Sequence, residues 1–157
     1  MGRKASKIQG KVFGLIIIFS LGFNVSASID NSINNHKEHF SKIALQIWDN
    51  AELGYQETES SKLLSDALEK EGFEINKAVA GIPTAFIAEF GSKGPVIAIL
   101  GEFDALPGLA QSTSPFKEVL NNNTGAGHAC GHHLFGAASA WAAVSVKEWL
   151  EENNIEG

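Results

Sequence analysis

The chain has 157 residues, of which 44% are hydrophobic and 19% are charged, a composition that is typical of a globular domain with an apolar core. Its formal net charge of −6 argues against nucleic-acid binding, because contacts with phosphates require a basic surface. The single cysteine, Cys130, excludes a disulfide within the chain.

Residues 1–27 have the pattern of a secretory signal peptide. An apolar run at 12–23 is followed by small residues that favour cleavage after Ala27. All the charged residues before the run are basic: Arg3, Lys4, Lys7 and Lys11. A membrane anchor is the alternative, but the apolar run is shorter than the ~20 residues that span a bilayer. We therefore predict a secreted or periplasmic protein without a stable membrane anchor, whose mature chain comprises residues 28–157.

The first part of the mature chain predicts two helices and a strand. Residues 28–35 are polar and are interpreted as a flexible lead-in. Apolar residues recur at helical spacing over 36–50 and over 59–71, which predicts one helix in each range. A short strand is predicted at 73–79.

The middle of the chain predicts strands that lead to two acidic residues. Residues 84–90 alternate between apolar and polar, residues 91–94 resemble a hairpin connection, and the continuous apolar run 95–100 predicts a strand buried on both faces. Glu102 and Asp104 follow that strand, at the end where open α/β sheets bind ligands. Acidic residues in a loop are also commonly solvated side chains without a binding role. A ligand-binding role and a purely solvated position of Glu102 and Asp104 therefore both stay open.

The last part of the chain predicts a long loop at 105–127 and a helix at 134–151. Loops of this length in a compact domain are usually functional or mobile. The helix is rich in Gly, Ala and Ser, which suits close packing on a sheet. Because helices and strands alternate along the chain, the sequence predicts an α/β sandwich.

Four residues with metal-binding side chains lie within six positions, between glycines: His128, Cys130, His132 and His133. Imidazole and thiolate are preferred ligands of zinc and similar ions, which favours a metal site whose remaining ligands lie elsewhere in sequence. Two alternatives stay open. Cys130 could act as a nucleophile with a histidine as its base, or the stretch could be a glycine-rich turn with solvated histidines.

Three motifs resemble one known family: WDNAEL at 48–53, GEFDALPG at 101–108 and GHACGH at 127–132. Over about residues 36–157 the chain resembles the metallopeptidase family of aminoacylases and bacterial carboxypeptidases. Within it the chain is most similar to the amidohydrolase branch, which includes p-aminobenzoyl-glutamate hydrolase. The resemblance implies the N-terminal part of a three-layer α/β/α, zinc-exopeptidase-like catalytic domain, with a mixed sheet and flanking helices.

The resemblance also implies roles for individual residues. Cys130 and His132 correspond to two ligands of a dinuclear manganese or zinc centre, and Asp104 corresponds to the acid that orients groups beneath the metals. Glu102, His128 and His133 are further candidate site residues without an implied role. His133 departs from the family pattern, because relatives have Asp or Asn at that position.

The activity implied by the resemblance is metal-dependent hydrolysis of the amide bond of N-acyl amino acids, by an enzyme that forms homodimers or hetero-oligomers. Family members are more than twice as long, and their general-base glutamate, remaining ligands and dimerisation domain are not among these residues. We therefore expect this chain alone to be a truncated, inactive fragment. The alternatives are a metal-binding or accessory module without catalysis and a cysteine-nucleophile hydrolase that uses Cys130.

Overall fold

A computed structural model describes the backbone of residues 12–121 and 124–157, and the side chains from residue 28 onward within these ranges. The predicted signal peptide lies outside the described side chains, and residues 1–11 lie outside the described backbone as well, so it stays a prediction. Among the described residues, no helix has the length and hydropathy needed to cross a membrane.

Three α-helices and two small sheets make up the described part of the chain. The helices are α1 (Val12–Asn50), α2 (Thr58–Lys70) and α3 (His132–Glu152). The first sheet pairs β1 (Glu74–Lys77) with β2 (Phe86–Glu89) in antiparallel register, with a 3-10 turn (Val79–Gly81) between them. The second sheet pairs β3 (Leu106–Pro107) with β4 (Ala126–Gly127), also antiparallel. This mixture of helices and sheets is compatible with the predicted α/β class.

The three helices pack around one apolar core. Each helix buries the stripe of apolar residues that its spacing predicts. The ring of Phe40 on α1 stacks on Trp141 of α3, with ring centroids 6.1 Å apart and ring planes 10° from parallel. The buried core residues are Phe40, Ile43, Ala44, Ile47, Leu64, Ala67, Leu68, Phe73, Ala137, Ala140 and Val144. The predicted limits of α2 and α3 are confirmed to within two residues at each end.

Residues 28–35, predicted as a flexible lead-in, are helical and belong to α1. That prediction was wrong because this segment, although polar in composition, packs one of its faces against α3. Ser32 is buried, and its hydroxyl lies 3.0 Å from that of Ser145 on α3. Ile29 and Ile33, one turn apart, line an apolar groove against α3. Contact with α3 therefore stabilises helix where local sequence alone does not predict it.

Residues 95–100, predicted as a strand buried on both faces, form no strand and are largely exposed. The side chain of Val96 is 97% exposed and that of Leu100 is 77% exposed. A strand requires a neighbour for its backbone N–H and C=O groups, and no described strand pairs with this segment. The connection at 91–94 therefore leads from β2 into an unpaired segment and does not close the predicted hairpin.

Segment 101–104 lies directly on α3 because both contribute small residues. A Cβ atom added to Gly136 would lie 3.0 Å from the carbonyl oxygen of Glu102, and one added to Gly101 would lie 3.0 Å from Cβ of Ser139. Such distances are shorter than most Cβ contacts, so a side chain at either position would require its neighbours to shift by a few tenths of an ångström. The helix was predicted to pack closely on a sheet, but it packs on this segment, which is not a strand. The contact places the two acidic residues beside the first turn of α3.

Candidate metal-binding site

The candidate site centres on the imidazole of His132, in the first turn of α3. Gly131 precedes the helix with a φ of +77°, a left-handed conformation that favours glycine, and it turns the chain into α3. Nδ1 of His132 lies 2.8 Å from Oδ1 of Asp104, and Nε2 lies 3.1 Å from Oε2 of Glu102. The structure thus brings together three of the predicted site residues from two separate segments.

The two carboxylates act on different nitrogens of His132. Asp104 accepts a hydrogen bond from the Nδ1–H group, which leaves Nε2 to face Glu102 or an ion. This arrangement of carboxylate and imidazole is the one that orients metal-binding histidines in proteins. Glu102 lies on the Nε2 side, and its side chain is 55% exposed, so it is free to turn toward an ion. His132 therefore fits a metal ligand that Asp104 holds in place.

Cys130 is an exposed free cysteine two residues before His132. Within the described residues, no set of three ligand atoms from His, Cys, Asp or Glu gathers around Cys130 or His132. An ion bound here would have a thiolate and an imidazole as donors, with Glu102 as a third candidate. These donor types fit a divalent metal, and its coordination would require further ligands from outside this group.

His128 and His133 lie in an aromatic cluster with Trp48, at the end of α1. His128 is buried, and its Nε2–H donates to the carbonyl oxygen of Ile47 at 2.9 Å. The ring of His133 lies 4.9 Å from that of Trp48, edge to face, and 5.1 Å from that of His128. Burial lowers the pKa of both histidines below the ordinary value, which favours their neutral forms. In this arrangement His128 connects α1 to the loop that precedes α3, and His133 connects α1 to the first turn of α3.

Glu52 supports the site from a position that the sequence analysis did not single out. Its carboxylate accepts hydrogen bonds from the backbone N–H groups of Glu59 (2.9 Å) and Ser60 (2.8 Å) and from the hydroxyl of Ser60 (2.7 Å). Its own carbonyl oxygen accepts the N–H of Ala105 at 2.7 Å. Glu52 therefore fastens the residue after Asp104 to the N-terminus of α2. The sequence feature that could have indicated this role is the position of Glu52 within the motif at 48–53.

Comparison with curated proteins gives several relatives, while no protein-family model matches the chain. The chain is 44% identical to a p-aminobenzoyl-glutamate hydrolase subunit of Escherichia coli (strain K12) over 124 residues, which are 79% of this chain and 26% of the relative. It is 35% identical to thermostable carboxypeptidase 2 of Saccharolobus solfataricus over 106 residues, which are 66% of this chain and 26% of the relative. It is 37% identical to N-acetylcysteine deacetylase of Bacillus subtilis (strain 168) over 99 residues, which are 62% of this chain and 25% of the relative.

The chain is homologous to these members of the amidohydrolase and metallopeptidase family. The resemblance that the three motifs predicted is therefore confirmed. The chain spans about a quarter of the length of these amidohydrolase relatives.

Proposed function

We propose that these residues form part of the catalytic site of an amidohydrolase that uses a divalent metal to hydrolyse the amide bond of N-acyl amino acids. The observation that carries the proposal is the hydrogen bond from His132 Nδ1 to Asp104, a contact that supports a role of the imidazole as a metal ligand. Similarity to a p-aminobenzoyl-glutamate hydrolase subunit and to an N-acetylcysteine deacetylase supports the substrate class.

Each residue has a specific task in the proposed site. Cys130 and His132 would hold manganese or zinc, two ions per complete site, and Glu102 is a further candidate ligand. When bound, the metal polarises the substrate carbonyl and makes a water molecule more acidic. Asp104 would keep a proton on Nδ1 of His132, so that Nε2 could supply the lone pair that binds the ion. Other segments of polypeptide supply the general base and the remaining ligands, so residues 1–157 alone are expected to be inactive.

The proposal extends to the organisation of the protein. Residues 28–157 would be the N-terminal part of a three-layer α/β/α catalytic domain, in which 95–100 becomes a strand when neighbouring strands pair with it. Residues 1–27 would direct export to the periplasm or the medium. Similarity to a protein named as a subunit supports a hetero-oligomer, with a homodimer as the alternative.

The cysteine-nucleophile alternative receives less support from the geometry. A thiolate nucleophile requires a histidine nitrogen within hydrogen-bond reach as its base. Both ring nitrogens of His132 face carboxylates, those of Asp104 and Glu102, and Nε2 of His128 donates to a backbone carbonyl. Nδ1 of His128 and Nδ1 of His133 are buried without a hydrogen-bond partner, whereas Cys130 is exposed. Among the described residues no histidine nitrogen is therefore paired with Cys130 as its base, which favours the metal-dependent proposal.

The proposal is tested with a chimaera in which residues 28–157 replace the homologous quarter of the Escherichia coli hydrolase subunit, co-expressed with the rest of that enzyme. Hydrolysis of p-aminobenzoyl-glutamate is measured with Mn²⁺, with Zn²⁺ and after chelation. We expect activity that chelation removes and added metal restores. Cys130→Ser and Asp104→Asn should each lower kcat/KM by roughly 10–100-fold or more, because they remove a ligand or its support.

The control variant for this experiment is Asp30→Asn, an exposed carboxylate on α1. It should leave kcat/KM unchanged. Activity that survives chelation but is lost on thiol alkylation would support the cysteine-nucleophile alternative. A folded chimaera that binds metal but has no activity with either ion would support the accessory module and contradict the proposed function.

A further inference from the structure

A second group of potential metal ligands lies where the three helices meet. It consists of His36 on α1, Glu71 at the C-terminal end of α2 and Glu148 on α3. Nε2 of His36 lies 2.7 Å from Oε1 of Glu148, and its Nδ1 lies 3.9 Å from Oε1 of Glu71. One ligand atom from each residue lies within 4.8 Å of the other two. The group shares no residue with the candidate amidohydrolase site.

The side chains of this group are only partly accessible to solvent. The exposed fractions are 17% for His36, 29% for Glu71 and 30% for Glu148. The ring of Phe40, 6.3 Å from that of His36, closes one side of the group. Water therefore reaches the group from a limited direction, which strengthens its interaction with a bound cation relative to that of a fully exposed carboxylate pair.

The group carries more negative than positive charge. It consists of two carboxylates and one imidazole, and Nε2 of His36 lies 2.7 Å from Glu148. The basic groups that act on Glu148 are His36 and Lys147. Nζ of Lys147 is engaged elsewhere, 3.1 Å from Glu151. Two carboxylates beside one imidazole are a donor set whose charge a divalent cation would complement.

We propose that His36, Glu71 and Glu148 bind a divalent transition-metal ion, with Zn²⁺ as the best match, and that this ion clamps α1, α2 and α3 together. One imidazole and two carboxylates are typical zinc donors, and water can fill the position on the open side. Zinc–ligand bonds of about 2.0–2.2 Å place ligand atoms ~3.3 Å apart. One ligand atom from each residue already lies within 4.8 Å of the other two, so an ion would have to draw these atoms together by no more than about 1.5 Å.

The test uses the full chain with Cys130→Ser and His132→Gln, which remove the proposed amidohydrolase ligands. Zinc binding is measured by isothermal titration calorimetry, and Tm is measured with and without Zn²⁺. We expect one ion per chain and a rise in Tm, because an ion that binds only the folded state stabilises it. His36→Gln and Glu148→Gln should each weaken binding by at least ~10-fold, a loss of about 1.4 kcal/mol. His39→Gln, exposed on the same helix, should bind zinc as the parent does.

Cobalt distinguishes this site from one at Cys130 in the unsubstituted chain. A thiolate ligand gives Co²⁺ an intense near-ultraviolet charge-transfer band, whereas imidazole and carboxylate ligands do not. We expect part of the bound Co²⁺ to lack the thiolate band, and this part to be lost in Glu71→Gln. Glu71→Gln changes a partly exposed helix end, so it is the variant to use if His36→Gln fails to fold. Zinc affinity that is the same in Glu71→Gln and Glu148→Gln as in the parent would overturn the proposal.

Discussion

Asp104 selects one tautomer of His132, because its carboxylate accepts only from a protonated Nδ1. Asp104→Asn keeps the shape of the side chain but can present an amide N–H to the ring, which removes this preference. We expect the affinity of the full chain for Zn²⁺ at Cys130 and His132 to fall by roughly 10–100-fold. Calorimetric titration of Zn²⁺ in the Glu71→Gln background measures binding at this site alone. A zinc affinity of Asp104→Asn equal to that of the Asp30→Asn control would contradict the role of Asp104.

Glu52 provides a second prediction at the residue scale. Its carboxylate satisfies backbone N–H groups at the start of α2, which otherwise lack partners, and its negative charge complements the helix dipole. Glu52→Gln removes that charge, so we expect the free energy of unfolding to fall by about 1–2 kcal/mol, measured by urea denaturation. Glu59→Gln, exposed in the first turn of the same helix, should cost only a few tenths of a kcal/mol. Equal costs would show that the hydrogen bonds of Glu52 contribute little.

The contact between α3 and segment 101–104 gives a prediction at the scale of elements. Gly136→Ala gains helix propensity, yet the added methyl group meets the carbonyl of Glu102 at 3.0 Å. Overpacking of this kind costs typically about 1–3 kcal/mol, so we expect a lower Tm and a displaced His132–Asp104 pair. Thermal unfolding and the zinc affinity of His132 measure the two effects. The comparison variant is Ala142→Gly at an exposed position of α3, which should lower Tm and leave zinc affinity unchanged.

Elements whose stability depends on nearby residues could be predicted from the sequence, and elements that depend on distant partners could not. Helices α2 and α3 follow from apolar spacing within one stretch of chain. Residues 95–100 have the composition of a buried strand, but a strand exists only with a neighbour, and composition does not supply one. Residues 28–35 were predicted as flexible for the opposite reason, since their helix depends on packing against α3.

The same distinction between local sequence and distant partners applies to the candidate site. The residue types and spacing at 128–133 predicted metal chemistry, and the structure places His132 between the two predicted acids. Sequence could not distinguish the neighbouring histidines, because the partner of His128 is a backbone carbonyl on α1. Glu52 was missed because its partners belong to a helix that begins well after it. The roles of Cys130 and His132 as ligands stay predictions.

The exposed segment 95–100 determines how the whole molecule should behave in solution. Val96 is 97% exposed and Leu100 is 77% exposed on an unpaired backbone, a combination that favours association between strand edges. We expect the isolated chain to self-associate, and Val96→Lys to shift it toward monomer without lowering Tm, because Val96 buries almost no surface. Analytical ultracentrifugation measures the shift. Phe116→Lys, also 77% exposed but in the loop before β4, should not change association.

The hydrogen bonds that build the candidate site span long stretches of sequence. Asp104 and His132 are 28 positions apart, and Ile47 and His128 are 81 positions apart. Contacts across such separations contribute only after the intervening chain has closed into a loop, which delays them during folding. The site would therefore assemble after the helices have docked. An ion at Cys130 and His132 would consequently slow unfolding of the finished structure and leave the rate of its formation nearly unchanged.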